Sequence, residues 1–335
     1  MDRPPPFEPL PAERAALRRR AVRDGLIIAG WLATAFTLLI VTYSGQSLGY
    51  DAFSYWSIDL SDLYGRATSS NFALGAFRYA PPIAFLFAPL GALPWWLFLL
   101  LWEAIMLATV FWLGGRWGLV LLALPPVALE LLHGNVHLLM AAAVALGFRH
   151  PWTWSFVILT KVTPGVGLLW FAVRREWRSL AIALGATAAV SLVAAVVAPH
   201  YWREWVDALF SNLSESQSFS VPPPAPIRLP IAALLVIWGA RTDRPWTVAV
   251  AATIGLPIIW PHGLCVALAA VPFLRRGDRA AQTPDWQSAV RLRTFLAYIG
   301  AAVAVSLAAA VVLGGPIRDL LEEASRRLEP YRLRL

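Results

Sequence analysis

The sequence predicts an all-α, polytopic transmembrane helical bundle of about 10–12 membrane segments. Three observations lead there. Hydrophobic residues make up 58% of the 335-residue chain and charged residues 14%, with a mean hydropathy of +0.60; soluble domains carry about 25% charged residues. Apolar stretches recur almost from end to end and each is long enough to be helical, whereas barrel strands would be alternating segments of about ten residues. The arginines gather at the ends of those stretches, as membrane orientation requires.

That placement also explains the net charge of +8 and the pI near 10.2. The basic residues read as topology signals, so no nucleic-acid partner is expected, and membrane lipids are the surroundings. The single cysteine, Cys265, lies in an apolar segment and excludes an internal disulfide.

Residues 1–25 begin Pro-rich and end in ERAALRRRAVRD, a basic segment expected to stay cytoplasmic. The apolar run Leu26 to Tyr43 lacks a small-residue cleavage site, so it reads as a retained first span. Residues 26–313 form the transmembrane domain, with outer loops at 44–79 and 199–228. The first loop holds Asp51, Asp59, Asp62, Arg66 and Arg78. The chain is expected to re-enter at 80–92, turn at Leu93–Pro94 and climb through 95–113, with further apolar segments at 117–132, 135–148, 152–173 and 179–198. RREWR at 174–178 marks a cytoplasmic end. In the second outer loop, the prolines of SESQSFSVPPPAP predict an extended crossing.

The apolar stretch 245–274 has arginines at both ends, Arg241 and Arg244 before it and Arg275, Arg276 and Arg279 after. Both ends read as cytoplasmic, so the stretch must go out and return. Each limb then has about 14 residues, roughly 21 Å of helix, which is short of the roughly 30 Å hydrocarbon core. The apex PIIWPHG, with His262, is therefore expected inside the outer half of the membrane, where broken helices persist only when packed in protein or lining a wet cavity. A second hairpin, 117–148, has HGNVH at its turn, and simple alternation puts that turn towards the cytoplasm. A last span at 294–313 leads to an amphipathic, charge-rich tail, 314–335, which alternation places outside.

Charged groups within a bilayer cost about 2.5–3.5 kcal/mol on insertion scales, so each needs a partner or a purpose. Lys161 is the only lysine and interrupts SFVILTKVTPGVGLLWF near the middle of a span. Two readings are open for it: binding an anion, or an ion pair with Glu103. Asp51 follows Gly-Tyr and precedes aromatics, a setting that favours a partly desolvated base; a helix cap or a solvated loop acid is the alternative. His262 reads either as a phosphate donor or as a partner for the carbonyl that Pro261 leaves free. His133, Asn135 and His137 form a polar turn suited to capping or to a headgroup. Trp95, Trp96, Trp152 and Trp154 read as interface belts.

There is no D-x-D, E-x-D or E-x-E pattern to bridge a nucleotide sugar through a metal, and no phosphate-binding loop. The two histidines of HGNVH lack a neighbouring carboxylate or thiol in sequence, so a zinc site is not expected.

Several local patterns together resemble glycosyltransferase family 87, of the C superfamily that uses polyprenyl-phosphate sugars. Asp51 with Tyr55, then DLYGRA and FRYAPPIAFLFAPLGALP, is similar to that family's D-x-x-x-Y and F-x-Y-x-P run. HGNVHLL resembles its G-[QN]-x-N-x-L turn, KVTP its K-x-x-P element, and IIWPHGL its S-W-x-H-H segment. The order extends over residues 45–274. Gly263 stands where the second histidine is expected, and the family's N-Q-S element is matched only by Glu215-Ser216-Gln217-Ser218.

The resemblance implies the fold of the glycosyltransferase C superfamily, with inverting transfer of a sugar, mannose, from a polyprenyl-phosphate donor to a lipid-linked or cell-surface glycan acceptor. Asp51 takes the role of general base. Lys161, His262 and Arg78 are expected around the donor phosphate, and Tyr55, Tyr79, Asn135, Gln217 and Trp260 as further substrate contacts. No cofactor or metal is called for. The protein is then a multi-pass cell-membrane protein with a cytoplasmic N-terminus and an outward-facing site. The competing readings are a lipid-headgroup or sugar transporter gated by Lys161 and Glu103, and a structural subunit.

Overall fold

The computed structural model describes residues 11–44, 47–69, 73–211, 223–274 and 290–328, and every regular element among them is helical. Helix α1 (Pro11–Tyr43) runs unbroken from the basic segment through the first span. Short helices α2 (Phe53–Trp56) and α3 (Gly65–Ser69) lie in the following loop. Next come α4 (Pro81–Phe87), α5 (Trp95–Gly114), α6 (Gly118–Leu122), α7 (Pro125–His133), α8 (His137–Gly147), α9 (Trp154–Thr160) and α10 (Leu169–Val173). The remainder is α11 (Trp177–Val197), α12 (His200–Ser211), α13 (Ala225–Arg241), α14 (Trp246–Ile254), a 3-10 helix Pro261–Ala270, α15 (Val271–Leu274) and α16 (Leu292–Ala324).

The protein is an all-α, multi-pass membrane protein. Among the described residues four helical stretches are long and apolar enough to cross a bilayer: Ala12–Tyr43, Trp95–Leu122, Trp177–Val197 and Leu292–Ala324. The pair α7–α8, bent through 113°, makes a fifth if taken as one span. Other apolar segments are short helices, such as Pro81–Ala92, Thr163–Val173 and Pro261–Leu274. Proline explains much of the shortening. Pro81, Pro125 and Pro261 each open a helix, where a fixed φ and a missing N–H do no harm, but they forbid continuation from the preceding turn.

Helix α16 lies antiparallel along α5. Trp112 reaches Thr294 Oγ1 at 3.3 Å near one end, and Trp95 donates to Ser325 Oγ at 2.9 Å near the other. Most of the apolar surface of α1, α11 and α16 is left uncovered by protein, as befits helices facing lipid. The last helix continues past residue 313, kinked at Leu313, so the first part of the 314–335 tail extends the span. Leu48 N donates to Ala324 O at 3.3 Å, which sets that end beside the Asp51 loop.

One expected orientation is overturned. Trp56 Nε1 donates to Leu93 O at 2.8 Å, and Trp95 packs on Phe53 and Trp56 with ring centroids 5.6 and 5.3 Å away. Residues 80–92 therefore begin and end near the Asp51 loop and do not cross. The physical cause is length, since Pro81–Ala92 spans roughly 18 Å at most as α-helix. Later segments shift by one crossing, and the HGNVH turn comes to the same side as Asp51 rather than the opposite one. The expected out-and-back of 245–274 does appear, as the short limbs α14 and Pro261–Ala270. Of the expected extended crossing at 214–226, residues 214–222 lie outside the described residues and α13 already begins at Ala225.

Candidate active site

The Asp51 loop is fastened to the end of α7. Gly134 ends that helix in the left-handed conformation, φ +66°, and its N–H returns to Glu130 O at 2.8 Å. The last carbonyls of a helix have no partner within it. Here the loop supplies them: Gly49 N donates to Leu132 O at 2.8 Å, and Asp51 N and Ala52 N donate to His133 O at 2.8 and 3.0 Å. Any Cβ at Gly134 would stand 2.7 Å from Ala52 Cβ, so glycine permits both the turn and the close approach.

This contact brings the two polar sequence elements into one site. Asn135 Nδ2 donates to Asp51 Oδ2 at 2.7 Å, while Asn135 Oδ1 accepts from Val136 N at 2.7 Å. His262 Nε2, from the short hairpin's apex, lies 3.6 Å from Asp51 Oδ2. Its ring is 5.0 Å from His133 and 5.2 Å from His137 between centroids, and Trp260 lies parallel to it at 6.5 Å. The Asp51 side chain remains 27% exposed and so is reachable. Burial pushes its carboxyl pKa up, but His262, His133 and the Asn135 amide outweigh that, leaving it below its ordinary 3.8.

Lys161 does not sit within a continuous span. It is the extended residue between α9 and the 3-10 turn Thr163–Leu168, where Pro164 interrupts the helix. Nor does it pair with Glu103, among the ion pairs of the described residues. Lys161 Nζ lies 2.8 Å from His137 Nε2, and His137 Nδ1 lies 3.0 Å from Glu130 Oε2. The ammonium can only donate, so Nε2 accepts and the Nδ1 proton points to the carboxylate. Glu130 Oε1 accepts from Leu138 N at 3.2 Å. A neutral histidine thus links a buried anion to a half-exposed cation. Glu103 Oε1 is buried without a hydrogen-bond partner among the described residues.

Tyr55 and Tyr79 share a hydrogen bond between their hydroxyls at 2.9 Å, with rings stacked at 5.8 Å. Tyr55 is buried and held between Phe87 and Trp102, both 5.2 Å away between centroids. Burial pushes both phenols well above their usual range, so they remain protonated. Arg78, half-buried, lies within electrostatic range of Asp51, Tyr55 and Tyr79. Asp51, Asn135, Lys161, His262, Arg78, Tyr55, Tyr79 and Trp260 therefore fall in one neighbourhood; Gln217 lies outside the described residues.

Two residues of this region were not singled out from the sequence. Glu130 is a carboxylate in the apolar run PPVALELLH, and Arg228 a guanidinium in PIRLPIAALL. The cost of placing charge in a membrane segment was the signal for both. Arg228, 4% exposed, donates to the carbonyls of Ile254 at 2.7 Å, Leu256 at 2.8 Å and Pro257 at 3.0 Å. Those oxygens belong to the break that leads to His262.

Folding supplies the carboxylates that the sequence around HGNVH lacks. Asp51, His133 and His262, and likewise Glu130, His137 and His262, each place three ligand atoms within 4.8 Å of one another. Either group could hold a metal ion. In the second, the Glu130–His137 hydrogen bond would have to open and the Lys161 ammonium would face the cation.

The family model of glycosyltransferase family 87 matches residues 77–289, more than half of the chain. The match takes in Arg78, Tyr79, Glu130, Asn135, Lys161, Trp260 and His262, while Asp51 and Tyr55 precede it. No curated protein and no solved structure matches the chain.

Proposed function

We propose, from the premise that the chain belongs to glycosyltransferase family 87 and is a membrane glycosyltransferase, that it moves a mannose-type sugar from a polyprenyl-phosphate donor to a lipid-linked or surface glycan acceptor. The observation that carries this reading is the convergence of one reachable carboxylate, Asp51, with Lys161, His262 and Arg78.

In the proposed step Asp51 takes the proton of the acceptor hydroxyl as its oxygen bonds to the anomeric carbon. The bond from that carbon to the phosphate oxygen breaks, with inversion. The departing polyprenyl phosphate needs no proton, because phosphate is already a weak base. Lys161 and Arg78 stabilise its growing charge, and His262 donates a hydrogen bond. Lys161 is suited to this because its charge is balanced through His137 by Glu130, leaving ammonium protons for a phosphate. Tyr55 and Tyr79, as neutral phenols, offer hydrogen bonds to the sugar. Protein groups alone fill every role in this division of labour.

The arginine distribution supports an outward-facing site. Arg174 bonds Asp243 at 2.9 Å, and Phe148 packs on Trp170 at 5.3 Å and Phe273 at 5.0 Å, so the ends bearing Arg149, Arg174, Arg241 and Arg244 gather together. Helix α8 carries the chain from His137, beside the Asp51 site, towards Arg149, and by the positive-inside rule we read that arginine-bearing end as the cytoplasmic one.

The test is reconstitution of the purified protein with a radiolabelled polyprenyl-phosphate sugar. Wild type should form glycosylated product, and Asp51→Asn should lose transfer while keeping donor binding. Unchanged turnover in Asp51→Asn removes Asp51 from the chemistry; movement of donor across the bilayer without product would instead support a transporter.

A further inference from the structure

A separate groove opens at the other end of α1. Arg14, Arg18, Val22, Leu26 and Gly30 recur every four residues, a row that turns about 40° around the helix at each step, and with Arg19 they line the groove as one oblique stripe. This stripe and the segment around Val120 and Ala123 wall a space of about 890 Å³, within the range of about 300–1,000 Å³ typical of ligand sites. The two elements meet at its floor. Thr34 Oγ1 donates to Ala123 O at 2.8 Å, and a Cβ on Gly30 would lie 3.0 Å from the same oxygen. Away from that point they diverge, giving a wedge that is closed and apolar at one end and open and basic at the other.

The charge is one-sided. No acidic residue lines the groove among the described residues, and Asp24 is engaged with Arg23 at 2.7 Å. Arg18 precedes Tyr43 by some seven turns, roughly 38 Å along the axis, more than the roughly 30 Å hydrocarbon core. The arginines therefore reach the membrane surface opposite Asp51, where a headgroup phosphate lies at their level and its acyl chain at the level of Leu26.

We propose that this groove holds an anionic phospholipid, its phosphate bonded by Arg14, Arg18 and Arg19 and one acyl chain laid along Leu26 towards Gly30 and Ala123. Guanidinium forks suit phosphate oxygens, and the graded stripe matches the polar-to-apolar order of a lipid. The site is independent of glycosyl transfer.

The test is native mass spectrometry of the full chain in neutral detergent, titrated with phosphatidylglycerol and phosphatidylcholine of identical chains. Phosphatidylglycerol should be preferred by on the order of 100-fold, about fivefold for each arginine. The triple change Arg14→Gln, Arg18→Gln and Arg19→Gln should abolish the preference, and the corresponding triple lysine variant should keep most of it. Val120→Trp, which fills the groove with the arginines intact, should weaken retention of lipid. Equal retention of both lipids by the wild type, an unchanged preference in the glutamine variant, full retention in Val120→Trp, or displacement of the lipid by inorganic phosphate alone would each overturn the proposal.

Discussion

Asn135 holds Asp51 by a 2.7 Å hydrogen bond from its amide nitrogen to Oδ2, tying the HGNVH turn to the first long loop. That bond is made to the charged form of Asp51 whatever the protonation of the nearby histidines, so it favours the carboxylate. The folded pKa lies below 3.8. A lowered carboxylate pKa means that the charged form, and the stability it contributes, persist as pH falls and are lost only on passing through the lowered value. Transfer by the wild type should therefore show no acid limb from Asp51 between about pH 5 and 8. In Asn135→Ala, loss of this charge-assisted bond should raise that pKa and bring an acid limb to higher pH. The kcat/KM profile checks this, and an acid limb that does not move would leave Asn135 with no part in setting the base.

The chain Glu130–His137–Lys161 makes a second prediction about the donor phosphate. Glu130→Gln keeps the shape but removes the buried charge that balances Lys161. Donor KM should rise about 10- to 100-fold, the equivalent of about 1.5–3 kcal/mol, with a smaller change in kcat. Glu103→Gln should change donor KM much less, because Glu103 has no bond to Lys161 or His137 among the described residues. Equal effects from the two substitutions would return Lys161 to a pairing with Glu103.

That contrast shows what could be read from residues alone. Asp51 and His262 stood out because each is a polar group at a break between apolar runs, and the arginines around 245–274 fixed the shortness of its limbs. The partner of Lys161 could not be read, since Glu103 and Glu130 both sit in apolar surroundings and only packing decides which one meets His137. The side of the HGNVH turn departs from simple alternation for a related reason. Hydropathy marks 80–92 as apolar, but whether a short proline-led segment crosses or turns back depends on contacts such as Trp56 with Leu93, which span distant parts of the chain. The role of Arg228 likewise depends on carbonyls more than 20 residues away.

Arg228 makes the last prediction. Residues 255–257 are non-helical backbone between two apolar limbs, and their carbonyls and that of Ile254 at the end of α14 have no water to bond if the surroundings are lipid and protein. Arg228 satisfies three of them and also donates to Pro223 O at 2.7 Å. Arg228→Ala leaves those oxygens orphaned at about 1–3 kcal/mol for a buried group, so destabilisation of about 3 kcal/mol or more is expected. Arg228→Lys should rescue only in part, because an ammonium has three donors and no planar fork. Thermal unfolding in detergent should rank wild type above Arg228→Lys and that above Arg228→Ala. Because the break leads directly to Pro261 and His262, transfer measured well below the unfolding temperature should fall in the same order. Variants with wild-type melting and wild-type transfer would mean that the break is held by something other than this guanidinium.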